Sequence, residues 1–489
     1  MIDDFEQCYR AVQSRDTRFD GWFFTAVTST HIYCRPSCPA ITPKRPHVRF
    51  YPTAASAQQA GFRACMRCRP DASPGSPEWD MRADVAARAM KLIADGIVDR
   101  EGVAGLAGHL GFSVRQLQRV LVAEVGTGPL ALARAQRAQT ARILMETTEL
   151  PVAQVAFAAG FASVRQFNDT IREVFAKTPT DLRRKSKGRV DGGAGSIQLR
   201  LPYRAPFDAE SLFAFLAFRA VPGVESYVDG TFLRSLDLPH GEGIVELTPD
   251  DGCVRATFCL QDLRDLTAAV TRCRRLLDLD ADPVAVDGTL SLDPMLRPSV
   301  HCTPGKRMPG AVDGAELAVR AVIGQQVSVA GARTVTGRLV GATGRRLTHP
   351  RPTVTHLFPT PEEIAAAGDA AFAMPGSRRR TLGSLAAAIA GGTLRIDPGE
   401  DPDELERRLL SLPGIGRWTT AYVSMRALGH PDAFMPTDLG VRRGIARLGH
   451  HDDIETVNRL AEKWRPWRAY AMAHLWSSPV EPEGEVNAA

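Results

Sequence analysis

The 489-residue sequence contains no apolar run long enough to cross a bilayer, which argues against a transmembrane helix. Its opening residues, Met-Ile-Asp-Asp-Phe-Glu, have neither the basic stretch nor the apolar stretch of a secretory signal. A cytoplasmic protein is expected. An evenly spread cysteine framework is missing too: of nine cysteines, Cys34, Cys38, Cys65 and Cys68 cluster near the N-terminus and five are scattered. Without a secretory signal, such a cluster points to metal ligation rather than disulfides. The apolar share of 44% and charged share of 24% are those of globular protein. The length exceeds one ordinary core, so three or more domains are expected.

The net charge of +5 is unevenly spread. Residues 1–189 hold 27 Lys and Arg against 18 Asp and Glu, whereas the remainder holds 33 against 37. The basic excess suits a polyanion such as DNA. A solvated basic surface would show the same excess, so charge alone leaves both open.

Ser73-Pro74-Gly75-Ser76-Pro77 reads as one linker, and Lys185–Gly188 with Asp191–Ser196 as a second. Between them the pattern is helical and alanine-rich from Met81 to about Arg184. It contains a repeat: Gly111-Phe112-Ser113-Val114-Arg115-Gln116-Leu117 is echoed by Gly160-Phe161-Ala162-Ser163-Val164-Arg165-Gln166-Phe167. Apolar residues follow at helical spacing, Leu117, Leu121 and Val125 in one copy and Phe167, Ile171 and Phe175 in the other. Each copy then reaches a proline, Pro129 or Pro179. A Gly-containing turn before each helix, with Ser113 and Ser163 as N-caps, is helix-turn-helix grammar. Beyond Ser196, strands such as Ile197–Leu201 and Ile244–Leu247 alternate with helices. From about Gly314 the chain reads as helical.

Cys34-x3-Cys38 and Cys65-x2-Cys68 can close a tetrahedral zinc site. On spacing alone, a purely structural zinc site is the preferred interpretation. The residues around them, Phe24–Val27, Thr30–Pro39, Val48–Tyr51 and Ala60–Asp71, closely resemble the N-terminal domain of the Ada adaptive-response family. That resemblance implies one Zn²⁺ and makes Cys34 both ligand and nucleophile, accepting a methyl group from a methylphosphotriester in the DNA backbone. Zinc keeps a thiol deprotonated at neutral pH, and the thiolate is the reactive form. Arg35, Arg63 and Arg67 are candidates for neighbouring phosphates, with solvated surface charge as the equal alternative.

The repeat resembles the AraC-type DNA-binding domain, which implies recognition helices starting near Ser113 and Ser163. Arg115, Gln116 and Arg119, together with Arg165 and Gln166, are then the candidates for base edges or phosphates. A helical bundle that binds another protein is the competing interpretation.

Leu412-Pro413-Gly414-Ile415-Gly416, followed by Arg417-Trp418-Thr419-Thr420-Ala421, is a helix-hairpin-helix signature, and Gly414 and Gly416 would let backbone N–H groups meet a phosphate. With Val319–Val329, Phe434-Met435-Pro436-Thr437-Asp438 and Trp476, the region from about Leu199 to Trp476 resembles the AlkA type of DNA-3-methyladenine glycosylase. The resemblance implies Asp438 as catalyst and Trp418, Tyr422, Trp476 and Phe215 as pocket aromatics for a cationic alkylated base. Trp464 and Trp467 read as core. No lysine stands at position 418, so strand cleavage through a Schiff base is not expected. Gln326 occupies the place of the family's apolar wedge, and Thr437 that of an acidic neighbour. The Pro-Cys-His-Arg motif of a second methyltransferase is missing; His301-Cys302-Thr303-Pro304 does not match it.

The expected architecture is multidomain: a small zinc-bound α/β domain (1–74), an all-α double helix-turn-helix domain (80–185), a mixed α/β subdomain (197–290) and an all-α helix-hairpin-helix glycosylase domain (291–480). The expected function is alkylation repair joined to damage-responsive transcription, with alkylated and promoter DNA as partners and RNA polymerase as a further one. The alternative is a regulator whose glycosylase-like region binds DNA with little catalysis.

Overall fold

The computed structural model describes residues 5–15, 19–65, 67–68, 70, 85–148, 150–184, 196–367 and 374–477. Both linkers and residues 81–84 lie outside them, apart from Ser196. No helix among the described residues is long and apolar enough to cross a membrane.

The N-terminal domain is built on four strands, β1 (Phe24–Val27), β2 (Ile32–Cys34), β3 (Val48–Tyr51) and β4 (Arg63–Ala64), in the order β3-β1-β2-β4. β1 pairs antiparallel with β2 and β3, whereas β4 runs parallel to β2. A parallel neighbour requires a crossover, and the helix Ala54–Gln59 supplies it, capped by the Thr53 hydroxyl on Ser56 N. Tyr33 and Ala26 are fully buried in this sheet.

The repeat folds as two helix-turn-helix units. Helix Ile97–Leu110 leads to Val114–Val125, and Val152–Ala158 leads to Val164–Phe175. Ser113 caps the first recognition helix by accepting from Gln116 N, and Ser163 caps the second by accepting from Gln166 N. Gly111 and Gly160 turn the chain at φ 74° and 83°, where a side chain would be strained. Leu117, Leu121, Phe167 and Ile171 are fully buried, and Val125 and Phe175 nearly so. Both prolines begin helices, Pro129–Thr147 and Pro179–Arg184.

The α/β subdomain carries a second sheet: β5 (Ser196–Pro202), β6 (Glu225–Val228), β7 (Thr231–Leu238), β8 (Gly241–Asp250) and β9 (Cys253–Leu260), ordered β5-β9-β8-β7-β6 and antiparallel throughout. Helix Ala209–Arg219 follows β5. From Gly314 onward the named elements are helices. A buried square of charges joins subdomain to helices: Arg234 meets Glu225 at 2.9 Å and Glu316 at 2.8 Å, and Arg320 meets the same two carboxylates at 3.1 and 2.9 Å. Two cations and two anions leave no uncompensated charge.

One apolar core crosses domain limits. It contains Tyr33 and Phe62 of the zinc domain, Phe167 and Phe175 of the second helix-turn-helix unit, and Ile197, Phe232 and Phe258 of the α/β subdomain. Polar contacts follow the same seam. Arg204 donates to Asp20 O and Asp280 O, both at 2.7 Å, and Thr140 meets Thr267 at 2.8 Å. Helix Val85–Ala94, ahead of the first unit, docks separately: Lys91 Nζ donates to Leu428 O at 2.8 Å, and Thr271 donates to Ala94 O at 3.0 Å.

Candidate functional site

The parallel pairing of β2 and β4 sets Tyr33 beside Ala64, so both strands deliver a cysteine at their ends. Cys65 N donates to Tyr33 O at 3.0 Å, and Cys38 N to Arg35 O at 3.1 Å. The four sulfurs of Cys34, Cys38, Cys65 and Cys68 lie within 4.8 Å of one another. A tetrahedron of sulfurs around zinc has bonds of about 2.3 Å and edges of about 3.8 Å, so the cluster is of the right size. The donor set fits as well. Sulfur contacts with Cys38 push the Cys34 thiol up, and those with Cys34 push Cys65 down, so without a cation the four share protons instead of ionising together. The sulfurs differ in access: Cys34 is half-buried, whereas the other three are buried.

Asp20 braces the first cysteine loop. Its carboxylate accepts from Ser37 N at 3.0 Å and Ser37 Oγ at 2.6 Å, and Arg35 lies 3.4 Å away. Arg35 is thereby committed within the protein, while Arg63 and Arg67 stay exposed. The spacing of Asp20 from the cysteines gave no sign of this role.

On the recognition helices, Arg115, Gln116 and Arg119, and Arg165 and Gln166, are exposed. Gln116 also completes its own capping box through Ser113 N at 3.1 Å.

The second site lies where helix Ala209–Arg219 faces helix Arg417–Ala427. Trp418 and Tyr422, one turn apart, stack at 5.2 Å and 8°. Phe215 and Trp476 face each other nearly parallel at 6.4 Å and 20°. Asp438 caps helix Leu439–Arg447 by accepting from Val441 N at 3.0 Å. Its two oxygens also accept one indole N–H each, from Trp418 and from Trp476, both at 2.9 Å. Gly440 makes this possible, since a Cβ there would sit 2.8 Å from the Trp476 ring. Asp438 is half-buried. Trp464 and Trp467 are core, at 0% and 5% exposure.

Gln326 is exposed and holds φ 55°, a left-handed conformation uncommon outside glycine, between helices Gly314–Ile323 and Val329–Thr343. Its neighbour Gln325 fastens this turn to the hairpin by donating to Gly414 O at 3.1 Å and Thr419 Oγ1 at 3.0 Å. Gly414 turns at φ 82°, and Gly416 caps the helix that starts at Arg417. Sequence reasoning missed Gln325, and also two arginines behind the aromatics, Arg219 and Arg426. Arg426 donates to Tyr422 Oη at 2.6 Å and, with Arg219, holds that phenol below its usual range against the opposing effect of burial.

Four family models match in succession: the metal binding domain of Ada over 7–71, a helix-turn-helix domain over 106–185, the AlkA N-terminal domain over 198–313, and the HhH-GPD superfamily base excision DNA repair protein over 319–469. The chain is 54% identical to the probable bifunctional transcriptional activator/DNA repair enzyme AlkA of Mycobacterium tuberculosis, over 99% of this chain and 98% of that one. It is 35% identical to DNA-3-methyladenine glycosylase 2 of Escherichia coli, over 56% of this chain and 95% of that protein. Among solved structures, the 3-methyladenine DNA-glycosylase from Archaeoglobus fulgidus superimposes with a TM-score of 0.50 at 23% identity, covering 57% of this chain and 97% of its own. The cysteine cluster is one zinc site of the Ada type. With that site, a double helix-turn-helix and a helix-hairpin-helix cleft in a single polypeptide, the chain belongs to the family of bifunctional transcriptional activator/DNA repair proteins that join an Ada-like methyl-acceptor domain to an AlkA-like glycosylase.

Proposed function

We propose that Cys34 accepts methyl groups from DNA methylphosphotriesters and that Asp438 supports hydrolytic excision of N-alkylated purines of the 3-methyladenine type. The access of Cys34 relative to its three buried partners supports the first half. The clamping of Asp438 between two indoles beside stacked rings carries the second.

Zinc, when bound, keeps the Cys34 sulfur deprotonated. Cys34 Sγ attacks the methyl carbon, an S–C bond forms, and the C–O pair leaves with the phosphate oxygen as a diester anion. Four thiolates on Zn²⁺ carry a formal −2, and a thioether in place of one leaves −1. Repulsion of DNA phosphates falls, and affinity rises. The acceptor is consumed, so transfer is stoichiometric. Arg115, Gln116, Arg119, Arg165 and Gln166 then read promoter DNA, with RNA polymerase as the recruited partner and the cytoplasm as location.

In the cleft, an extruded cationic base stacks on Trp418, Tyr422, Trp476 and Phe215. The C1′–N bond breaks with its electron pair going to the base, which leaves neutral. Asp438 stabilises the positive charge at C1′ and accepts a proton from the attacking water. Gly414 and Gly416 present backbone N–H groups to a phosphate, and Gln326 fills the gap left in the duplex. The boundaries 1–74, 80–185, 197–290 and 291–480 divide these tasks.

The test uses full-length zinc-loaded protein with methylated duplex DNA. Mass spectrometry is expected to find one added methyl on Cys34, and Asp438→Asn is expected to abolish 3-methyladenine release. A methyl-free Cys34, or release that persists in the variant, overturns the corresponding half. A second reading, regulation with little excision, is favoured by the polar Gln326 at the wedge position; no base release from the intact protein would establish it.

A further inference from the structure

Arg219 ends helix Ala209–Arg219, one turn beyond Phe215. Its guanidinium carbon lies 3.8 Å from the centre of the Phe215 ring and 5.6 Å from that of Phe218. Among the described residues it has neither a hydrogen-bond acceptor nor an ion-pair partner. Its neighbours differ in this. Arg320 is held by Glu225 and Glu316, and Arg426 donates to Pro309 O, Gly310 O and Tyr422 Oη. Burial holds Arg219 below the usual guanidinium range; Tyr422 and Asp438 oppose that, while Arg426 and Arg320 add to it. The side chain lies on Phe215, which faces Trp476, the ring bonded to Asp438, and so borders the same cleft.

Half-buried and stacked on a ring, Arg219 keeps its N–H donors open to an acceptor that a ligand brings. A guanidinium is a planar fork of donors with no acceptor, suited to a pair of lone-pair acceptors. A purine with a carbonyl at C6 offers O6, and N7 where it is not alkylated; a 6-aminopurine presents an N–H₂ donor at that position. Donor against donor at a buried site is penalised on both sides. Phe215, on which Arg219 lies, faces Trp476 at 6.4 Å, so the fork borders the aromatic rings of the cleft.

We propose that Arg219 is a specificity-determining residue that receives the C6 carbonyl of the extruded purine, so that the cleft favours 6-oxopurines over 6-aminopurines. This rests on the aromatic cleft being the base pocket. Two measurements on the full-length protein test it.

In the first, free hypoxanthine and free adenine, which differ at C6, are titrated while tryptophan fluorescence is followed. Hypoxanthine is expected to bind about tenfold more tightly, the worth of one charge-assisted hydrogen bond, and Arg219→Met to erase the preference. Equal affinities in the unaltered protein, or a preference that survives in the variant, overturn the assignment. In the second, 3-methylguanine and 3-methyladenine released from methylated DNA are compared within one preparation, so the ratio does not depend on the folded fraction. The 3-methylguanine to 3-methyladenine ratio is expected to fall about tenfold in Arg219→Met. A proportional loss of both bases would place Arg219 on the DNA backbone and overturn the proposal. Absence of any release overturns the excision chemistry proposed above, while the fluorescence titration still decides the role of Arg219.

Discussion

A carboxylate that accepts from two indoles and one amide is fixed in rotation. Trp418 and Trp476 therefore do more than stack, since each turns its N–H to one oxygen of Asp438. Substitution of Trp476 by Phe keeps an aromatic ring and removes the donor. A hydrogen bond to a charged group contributes about 1.5–3 kcal/mol, so the single-turnover excision rate is expected to fall at least tenfold. Binding to DNA that carries an abasic-site analogue should change little, because that measurement does not depend on the orientation of Asp438. A rate that stays at the original level would reduce Trp476 to a stacking surface. Nothing in the spacing of residues 418, 438 and 476 announces these bonds. Indole donors and a carboxylate separated by 20 and 38 residues meet only once three helices have packed.

At the scale of elements the sequence was more legible. The recognition helices begin where Ser113 and Ser163 stand because a hydroxyl acceptor at the N-cap and apolar residues three and four apart are local properties. The cysteine cluster was legible for the same reason, each pair lying within one short loop. Asp20, Gln325, Arg219 and Arg426 were not, since their roles come from contacts made across the fold. The helix-hairpin-helix turn lies between these cases. Its glycines were readable, but the reason for Gly414 is tertiary: a Cβ there would meet Thr381 Oγ1 at 2.0 Å, at a backbone φ of 82°. Gly414→Ala is expected to destabilise the protein by at least about 1–2 kcal/mol from the left-handed backbone alone, with the clash added. Denaturant unfolding measures the sum. Adding Thr381→Ala should relieve the steric part and leave the backbone part. Full recovery in the double variant would show that the positive φ carries no cost here.

At the scale of the whole molecule, the shared core is the feature that domain-by-domain reading could not foresee. Tyr33, Phe167 and Phe258 come from three different domains and belong to one cluster. The buried Arg204 adds a polar tie, joining Asp20 of the zinc domain to Asp280 of the α/β subdomain. Asp20 in turn holds Ser37 inside the loop between Cys34 and Cys38. Removing zinc loosens that loop, because the metal–sulfur bonds that tie the four cysteines together are lost. The loosening should extend beyond residues 1–72. Fluorescence of the buried Trp464 and Trp467 reports the glycosylase half, so its thermal midpoint is expected to drop by a few degrees when a chelator strips the metal. In Arg204→Met the same treatment should produce a smaller drop, since the tie through which Asp20 bears on the subdomain is cut. A glycosylase midpoint that does not respond to the chelator would mean that the zinc domain rests on its neighbours without stabilising them, and coupling between methyl acceptance and excision would then have to pass through DNA alone.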